Sequence, residues 1–200
     1  MQSRRLILAS RSPRRKELLE SAGFTAVIAP SHAEELEDHP ESPRHLAEAN
    51  AAMKAMVLAA QHPEDVVLAA DTIVVLHGEV FGKPASIEAA RNMLARLSGQ
   101  THEVITAVCI LCSALPLRIQ FEEITRVRFR PLSDAVIKDY LQTIDPLDKA
   151  GAYAAQDDAG RLIEHIEGCL SNVIGLPMDR TKAILTENFP GLFQSAGSDL

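Results

Sequence analysis

Val66-Val67-Leu68-Ala69-Ala70-Asp71-Thr72-Ile73-Val74-Val75-Leu76 is the stretch whose reading decides the fold. It is the most apolar run in the chain and reads as a strand. It stops at His77-Gly78, a turn pair that leads back into Val80-Phe81 as a hairpin. Asp71 interrupts the run. An unpartnered carboxylate buried there would cost on the order of several kcal/mol, or be driven neutral. A metal ion or a lysine would offset that cost. The plainer reading is an Asp exposed at a strand end or bulge.

Upstream, residues 6–9 read as a short buried strand, and Ser12-Pro13 opens a helix that Gly23 closes. Residues 25–29 form a second short strand, followed by an acidic loop over 32–43. A helix is expected over 43–60, rich in Ala with Leu46, Met53, Met56 and Val57. Downstream, Gly82-Lys83-Pro84 is a loop. Ser86 caps a helix with Ile87, Ala90, Leu94 and Leu97 as its inward stripe and Met93 beside it, ended by Gly99. Strands over 103–112 and 117–129 follow, joined by a turn at 113–116. In the second, Thr125, Val127 and Phe129 alternate with Arg126, Arg128 and Arg130, so one face is wet or meets something acidic. Ser133 caps a helix to about Gln142. A glycine-bearing loop spans 145–160, a strand lies near 162–166, and Gly175-Leu176-Pro177 leads into the last helix. The tail beyond Pro190 is expected to fray. The alternation gives an α/β chain with a mixed sheet.

Bulk properties narrow the function. The 200 residues, 46% hydrophobic and 24% charged, fit one globular domain able to bury a core without staples. A net charge of -7 argues against general nucleic-acid binding, so the N-terminal arginines look like a local device. Three cysteines do not make a disulfide framework. Cys109 and Cys112 have CxxC spacing, but on a strand they point to opposite faces and no second pair completes a zinc site, so they read as core residues. No apolar run reaches membrane-spanning length, and residues 6–9 are too short for a signal peptide. A cytoplasmic compartment is expected.

Ser10-Arg11-Ser12-Pro13-Arg14-Arg15 carries the second chemical signal. A helix N-terminus already presents unbonded N–H groups and partial positive charge, so Arg14, Arg15 and Lys16 in the first turn oppose the dipole. An anion bridging N–H groups and guanidinium forks makes sense of them; a solvated basic patch pairing with Glu17 and Glu20 is the alternative. Lys54 and Lys83 are, singly, ordinary lysines, and Glu34-Glu35 is a solvated charge pair. The small-residue run over 148–156 allows close approach to a ligand or is a tight loop. The histidines lack metal-ligand spacing, and no GxxxxGK[ST], GxGxxG or GxSxG element occurs. The cradle at 10–15 and the carboxylate at Asp71 together point to an enzyme acting on a nucleoside triphosphate with a metal.

In order and spacing, these pieces resemble the Maf family of nucleoside triphosphate pyrophosphatases. The resemblance rests on Leu8-Ala9-Ser10-Arg11-Ser12-Pro13-Arg14-Arg15, Glu35, Lys54-Ala55, Ala70-Asp71-Thr72, Gly82-Lys83-Pro84 and Leu97-Ser98-Gly99-Gln100-Thr101-His102. It continues through Pro146-Leu147-Asp148-Lys149-Ala150-Gly151-Ala152-Tyr153 and Val173-Ile174-Gly175-Leu176-Pro177. It implies a single domain over 1–200, its core at about 6–188, built as an α/β sandwich with two lobes around a deep cleft, similar to inosine triphosphate pyrophosphatases. It also implies hydrolysis between the α and β phosphates and, commonly, a homodimer. By the same resemblance Asp71 is the base that activates water. Glu35 and Asp71 touch a divalent metal, Mg2+ or Mn2+, and Ser10, Arg15, Lys54 and Lys83 hold the triphosphate. The segment after Gly151 resembles the branch acting on dTTP and UTP, in which Arg14, Thr72 and Gln156 occupy the selectivity positions; a Gln amide can pair with the carbonyl and N3–H that uracil and thymine share.

The chain departs from that pattern in two places. Tyr153-Ala154-Ala155-Gln156-Asp157 lacks the usual glycines, and Asn50-Ala51 stands where the family usually has Leu-Ala. The alternatives are a non-enzymatic nucleotide-binding regulator of cell division and a metal phosphatase releasing orthophosphate.

Overall fold

The computed structural model describes residues 4–115 and 117–192. Its strands are β1 (Leu6–Leu8), β2 (Ala26–Ile28), β3 (Val66–Leu76), β4 (Glu79–Phe81), β5 (Thr101–Cys112), β6 (Leu117–Phe129) and β7 (Ile163–Glu167). They form one seven-stranded sheet in the order β2-β1-β3-β5-β6-β7, with β4 also pairing β3. β1 runs parallel to both β2 and β3, whereas β3–β4 and β6–β7 are antiparallel, so the sheet is mixed. The helices are α1 (Pro13–Ser21), α2 (Pro43–Gln61), α3 (Ile87–Leu97), α4 (Asp134–Leu141), α5 (Leu170–Ile174) and α6 (Met178–Asn188). The α/β class expected from the alternation is the observed one.

Local chemistry accounts for most boundaries. Ser42, Ser86 and Ser133 each accept a hydrogen bond from the N–H three residues on, at His45, Ala89 and Val136. His77 and Gly78 both have positive φ, 52° and 84°, the geometry a two-residue hairpin demands. Other details differ from expectation. The Ser12 side chain makes no cap; its N–H instead donates to Ser10 Oγ. Ile87 is 53% exposed and leaves the α3 stripe to Ala90, Leu94 and Leu97, because the first turn of a helix overhangs the core it packs on. The short helix α5 had no periodic signal to announce it. Pro190–Leu192 closes a 3-10 turn, and the remainder of the expected frayed tail, like Pro116 in the expected turn, lies outside the described residues.

The described residues divide into two compact units, one from 4–71, 107–115, 117–122 and 175–192, the other from Thr72–Thr106 and Glu123–Ile174. In the first, Leu6, Leu8, Leu19, Phe24, Leu68 and Ile110 anchor a core that Leu176 and Leu185 complete. Cys109 and Cys112 are fully buried in β5, as free thiols. In the second, Leu94, Leu97, Val104, Phe129 and Tyr140 form the core. There Arg126 approaches Glu103 and Glu167, and Arg128 reaches Glu164, so the basic face of β6 does meet carboxylates.

Two residues of the second unit show how its core constrains its loops. Gly151 has φ +68°, and a Cβ there would lie 3.0 Å from Val74 Cγ2. His102 sits edge-on to Phe129 and Tyr153, its Nε2 2.9 Å from the Tyr153 hydroxyl, and burial pushes its pKa down to about 4. Gly151→Ala should cost about 2–4 kcal/mol in urea denaturation from strain plus crowding. Gly160→Ala, at φ +74° with open space, should cost about 1 kcal/mol. His102 stays neutral when folded but charges in the unfolded chain below its ordinary pKa. Its contribution is therefore intact above about pH 6.5 and is lost as pH falls toward 4, by up to about 3 kcal/mol. The slope of the urea midpoint against pH over that interval should be shallower in His102→Gln than in the parent.

Candidate active site

Asp71 ends the first unit's part of β3, after five residues, 66–70, that are fully buried. It is itself 7% exposed, so the strand-end reading does not hold. Its partner is a lysine: Lys54 Nζ donates to Asp71 Oδ1 at 2.6 Å and to Glu35 Oε2 at 2.8 Å. Lys54 is buried on α2, whereas Glu35 is exposed in a segment with no helix or strand. One ammonium thus gathers two carboxylates from distant parts of the sequence. The Asp71 contact engages Oδ1 alone.

Ser10 follows β1 and is buried; its Oγ accepts from Arg15 Nη1 at 3.2 Å and from the Ser12 N–H at 3.1 Å. Arg15 Nε donates to the Gly175 carbonyl at 2.8 Å. Burial pushes the Arg15 guanidinium below its ordinary pKa. Asp71 and Glu35 oppose that shift and Arg14 adds to it, so these four side chains share one electrostatic neighbourhood. Arg14 is half-buried beside Arg15 in the first turn of α1. Of the sequence-derived candidates, the first unit therefore brings together Ser10, Arg14, Arg15, Glu35, Lys54 and Asp71.

Thr72, Lys83 and Gln156 belong to the second unit. The Thr72 hydroxyl lies 2.9 Å from Thr106 Oγ1, which in turn donates to the Asn172 carbonyl. Lys83 is exposed on the loop after β4, and that loop is tied to the small-residue run, because the Gly151 N–H donates to the Gly82 carbonyl at 3.1 Å. Gln156 is exposed on the 3-10 turn Ala155–Asp157. Tyr140 steadies the start of that turn; its hydroxyl accepts from the Ala154 N–H at 3.0 Å.

The family model described as "Maf-like protein" matches residues 5–188. The chain belongs to the Maf family. A "dTTP/UTP pyrophosphatase" of Anaeromyxobacter dehalogenans is 47% identical over 183 residues, 90% of this Maf chain and 92% of that protein. Another protein of that description, from Pyrococcus furiosus, is 46% identical over 175 residues, covering 88% and 90%. Among solved structures, the Staphylococcus aureus Ham1 protein aligns over 92% of this chain and 99% of its own, with TM-score 0.53 and 15% identity, a likeness of fold.

Among the described residues no three His, Cys, Asp or Glu side chains group to hold an ion. Mg2+ characteristically takes one or two protein carboxylates and completes its shell with water and phosphate oxygens. Asp71 and Glu35, gathered on one ammonium, fit that donor set. Sequence reasoning missed two contributors. The Gly175 carbonyl orients Arg15, and Asn50, noticed only as a departure from Leu, holds the backbone beside Glu35. Polar side chains that serve the backbone leave no pattern in spacing. Lys54→Met strands the buried Asp71 and should cost about 3–5 kcal/mol in urea denaturation, most of it recovered in Lys54→Met/Asp71→Leu, where no charge remains to be buried.

Proposed function

We propose that this chain hydrolyses dTTP and UTP to the nucleoside monophosphate and pyrophosphate, with Asp71 as the base. The observation that carries the reading is the buried Asp71–Lys54 pair, with Glu35 on the same ammonium, in a chain that matches the Maf family over 5–188. Relatives named dTTP/UTP pyrophosphatase at 46–47% identity support the substrate class.

The chemistry follows from the residues. Water attacks the α phosphorus, its proton passes to Asp71, and the α–β bridging bond breaks with its electron pair leaving on pyrophosphate. Phosphoryl transfer of this kind needs positioning and charge neutralisation more than covalent chemistry. Arg15, Lys54 and Lys83 supply cations, and the Ser10 hydroxyl a hydrogen bond, to the triphosphate and the departing pyrophosphate. A Mg2+ or Mn2+ ion, held by Glu35 and Asp71, supplies further neutralisation of phosphate charge when bound. Gln156 reads the pyrimidine edge with Arg14 and Thr72, since a base that covers the amide and leaves it unpaired is disfavoured. The reading includes a cytoplasmic homodimer; among the described residues no helix is long and apolar enough to cross a membrane.

The test is a nucleotide panel with Mg2+ or Mn2+ and identification of the products. Pyrophosphate from dTTP and UTP is the expected outcome; orthophosphate, or tight binding without turnover, would sink the proposal. Asp71→Asn is expected to lower kcat on the order of 10²–10⁴-fold while nucleotide binding persists, read by calorimetry.

A further inference from the structure

Asn50 is 3% exposed and lies one helical turn before Lys54 on the same face of α2. Its side chain bonds both backbone groups of one residue of the acidic segment, and so the two peptide units that flank its Cα. Oδ1 accepts from the Leu36 N–H at 2.8 Å, and Nδ2 donates to the Leu36 carbonyl at 3.0 Å. Leu36 itself is 43% exposed, so this residue is fixed through its backbone and not through its side chain. The residue before it is Glu35, whose carboxylate meets Lys54. Between β2 and α2 the segment forms neither helix nor strand. Two bonds from a single amide, each to a group of defined polarity, fix which way the Leu36 backbone faces.

The geometry points to Asn50 as the residue that positions Glu35 for the metal-assisted reaction: its amide clamps Leu36 so that the neighbouring carboxylate stays on Lys54 beside Asp71. The same face of α2 thereby supplies both the ammonium that gathers the carboxylates and the amide that delivers one of them. The role is distinct from catalysis, since Asn50 acts through the backbone of Leu36 and reaches the reaction through Glu35. It rests on the proposed reading of Glu35 as a metal partner.

Asn50→Ala removes both bonds. Asn50→Asp keeps an acceptor for the Leu36 N–H but faces the Leu36 carbonyl with an oxygen, and serves as the second variant should Ala impair folding. Three measurements apply. Hydrogen exchange at the Leu36 amide should speed up by about tenfold or more in Asn50→Ala, because an exposed residue loses the bond that protects it. Mn2+ binding to the nucleotide-free protein, read by calorimetry, should weaken several-fold. Turnover of dTTP should fall on the order of 10- to 100-fold in kcat with KM little changed, the scale of a displaced reacting group.

A double-mutant cycle separates positioning from general stability: in a Glu35→Gln background, Asn50→Ala should add little further loss of kcat. Unchanged Leu36 exchange, unchanged Mn2+ binding, or an equal kcat loss with and without Glu35 would overturn the inference. Failure of the unmutated protein to release pyrophosphate would overturn the proposed function instead, while the exchange and Mn2+ arms would still read the clamp.

Discussion

The Lys54 ammonium is what allows Asp71 to exist where it does. A strand whose neighbouring residues are fully buried cannot hold a carboxylate without a counter-charge, and α2 carries the lysine that provides one. That requirement reaches back through the helix. Ala47, Ala51 and Ala55 repeat at four-residue spacing and are wholly buried, so a stripe of small side chains brings the α2 backbone close to its neighbours. A long side chain on that face then ends among buried groups and not in solvent. The helix is begun by Ser42 and Pro43 and is thus fixed in register before Lys54 is reached. The pair contributes placement more than net stability: exchanging both partners for apolar groups would cost little, whereas removing one costs much.

The second unit applies the same logic with neutral groups. Gly82 and Gly151 join two loops by one backbone hydrogen bond, and Tyr140 and Tyr153 aim their hydroxyls at the Ala154 backbone and at His102. Asn172 donates to the Val104 carbonyl and to Thr125 Oγ1, in a site its side chain shares with no solvent. The Tyr140 and Tyr153 hydroxyls and the Asn172 amide nitrogen are buried and hydrogen-bonded, whereas Asn172 Oδ1 and His102 Nδ1 are buried without a partner among the described residues. The exposed Lys83 and Gln156 stand on loops tied by these hydrogen bonds.

How far the sequence could be read follows from the range of each interaction. β3, the helix caps at Ser86 and Ser133, and the hairpin at His77-Gly78 are local in chain and were legible from patterning and turn chemistry, whereas the cap at Ser42 was not read. The burial of Asp71 was legible as a conflict, because an apolar run with one charge demands a partner, but several lysines could have answered it. Which one did was carried by family spacing at Lys54, not by local physics. Ser12 stands at the N-cap ahead of Pro13, as the capping rule expects, but its side chain makes no cap bond, which the rule cannot foresee. Ile87 misled because periodicity assigns a face without knowing where the core ends. Asn50 and Gly175 were invisible as partners: Asn50 bonds the backbone of Leu36 and the Gly175 carbonyl accepts from the Arg15 side chain, and neither an amide nor a carbonyl makes a periodic mark.

The bond from Arg15 to the Gly175 carbonyl spans 160 residues. Ser10, Arg15, Glu35, Lys54 and Asp71 all emerge from the ribosome within the first 71 residues, yet the unit that houses them also needs Ala107–Glu122 and the segment from Gly175 onward. Val108, Ile110, Leu176 and Leu185 are the residues that seal its core. During synthesis the charged cluster therefore waits, solvated and unorganised, for more than half the chain to follow. Such long-range closure slows folding and leaves apolar strands exposed in the interval. The arginine that would grip a phosphate is aimed by one of the later segments to be made, so a truncated or half-synthesised chain presents the right residues without the right shape.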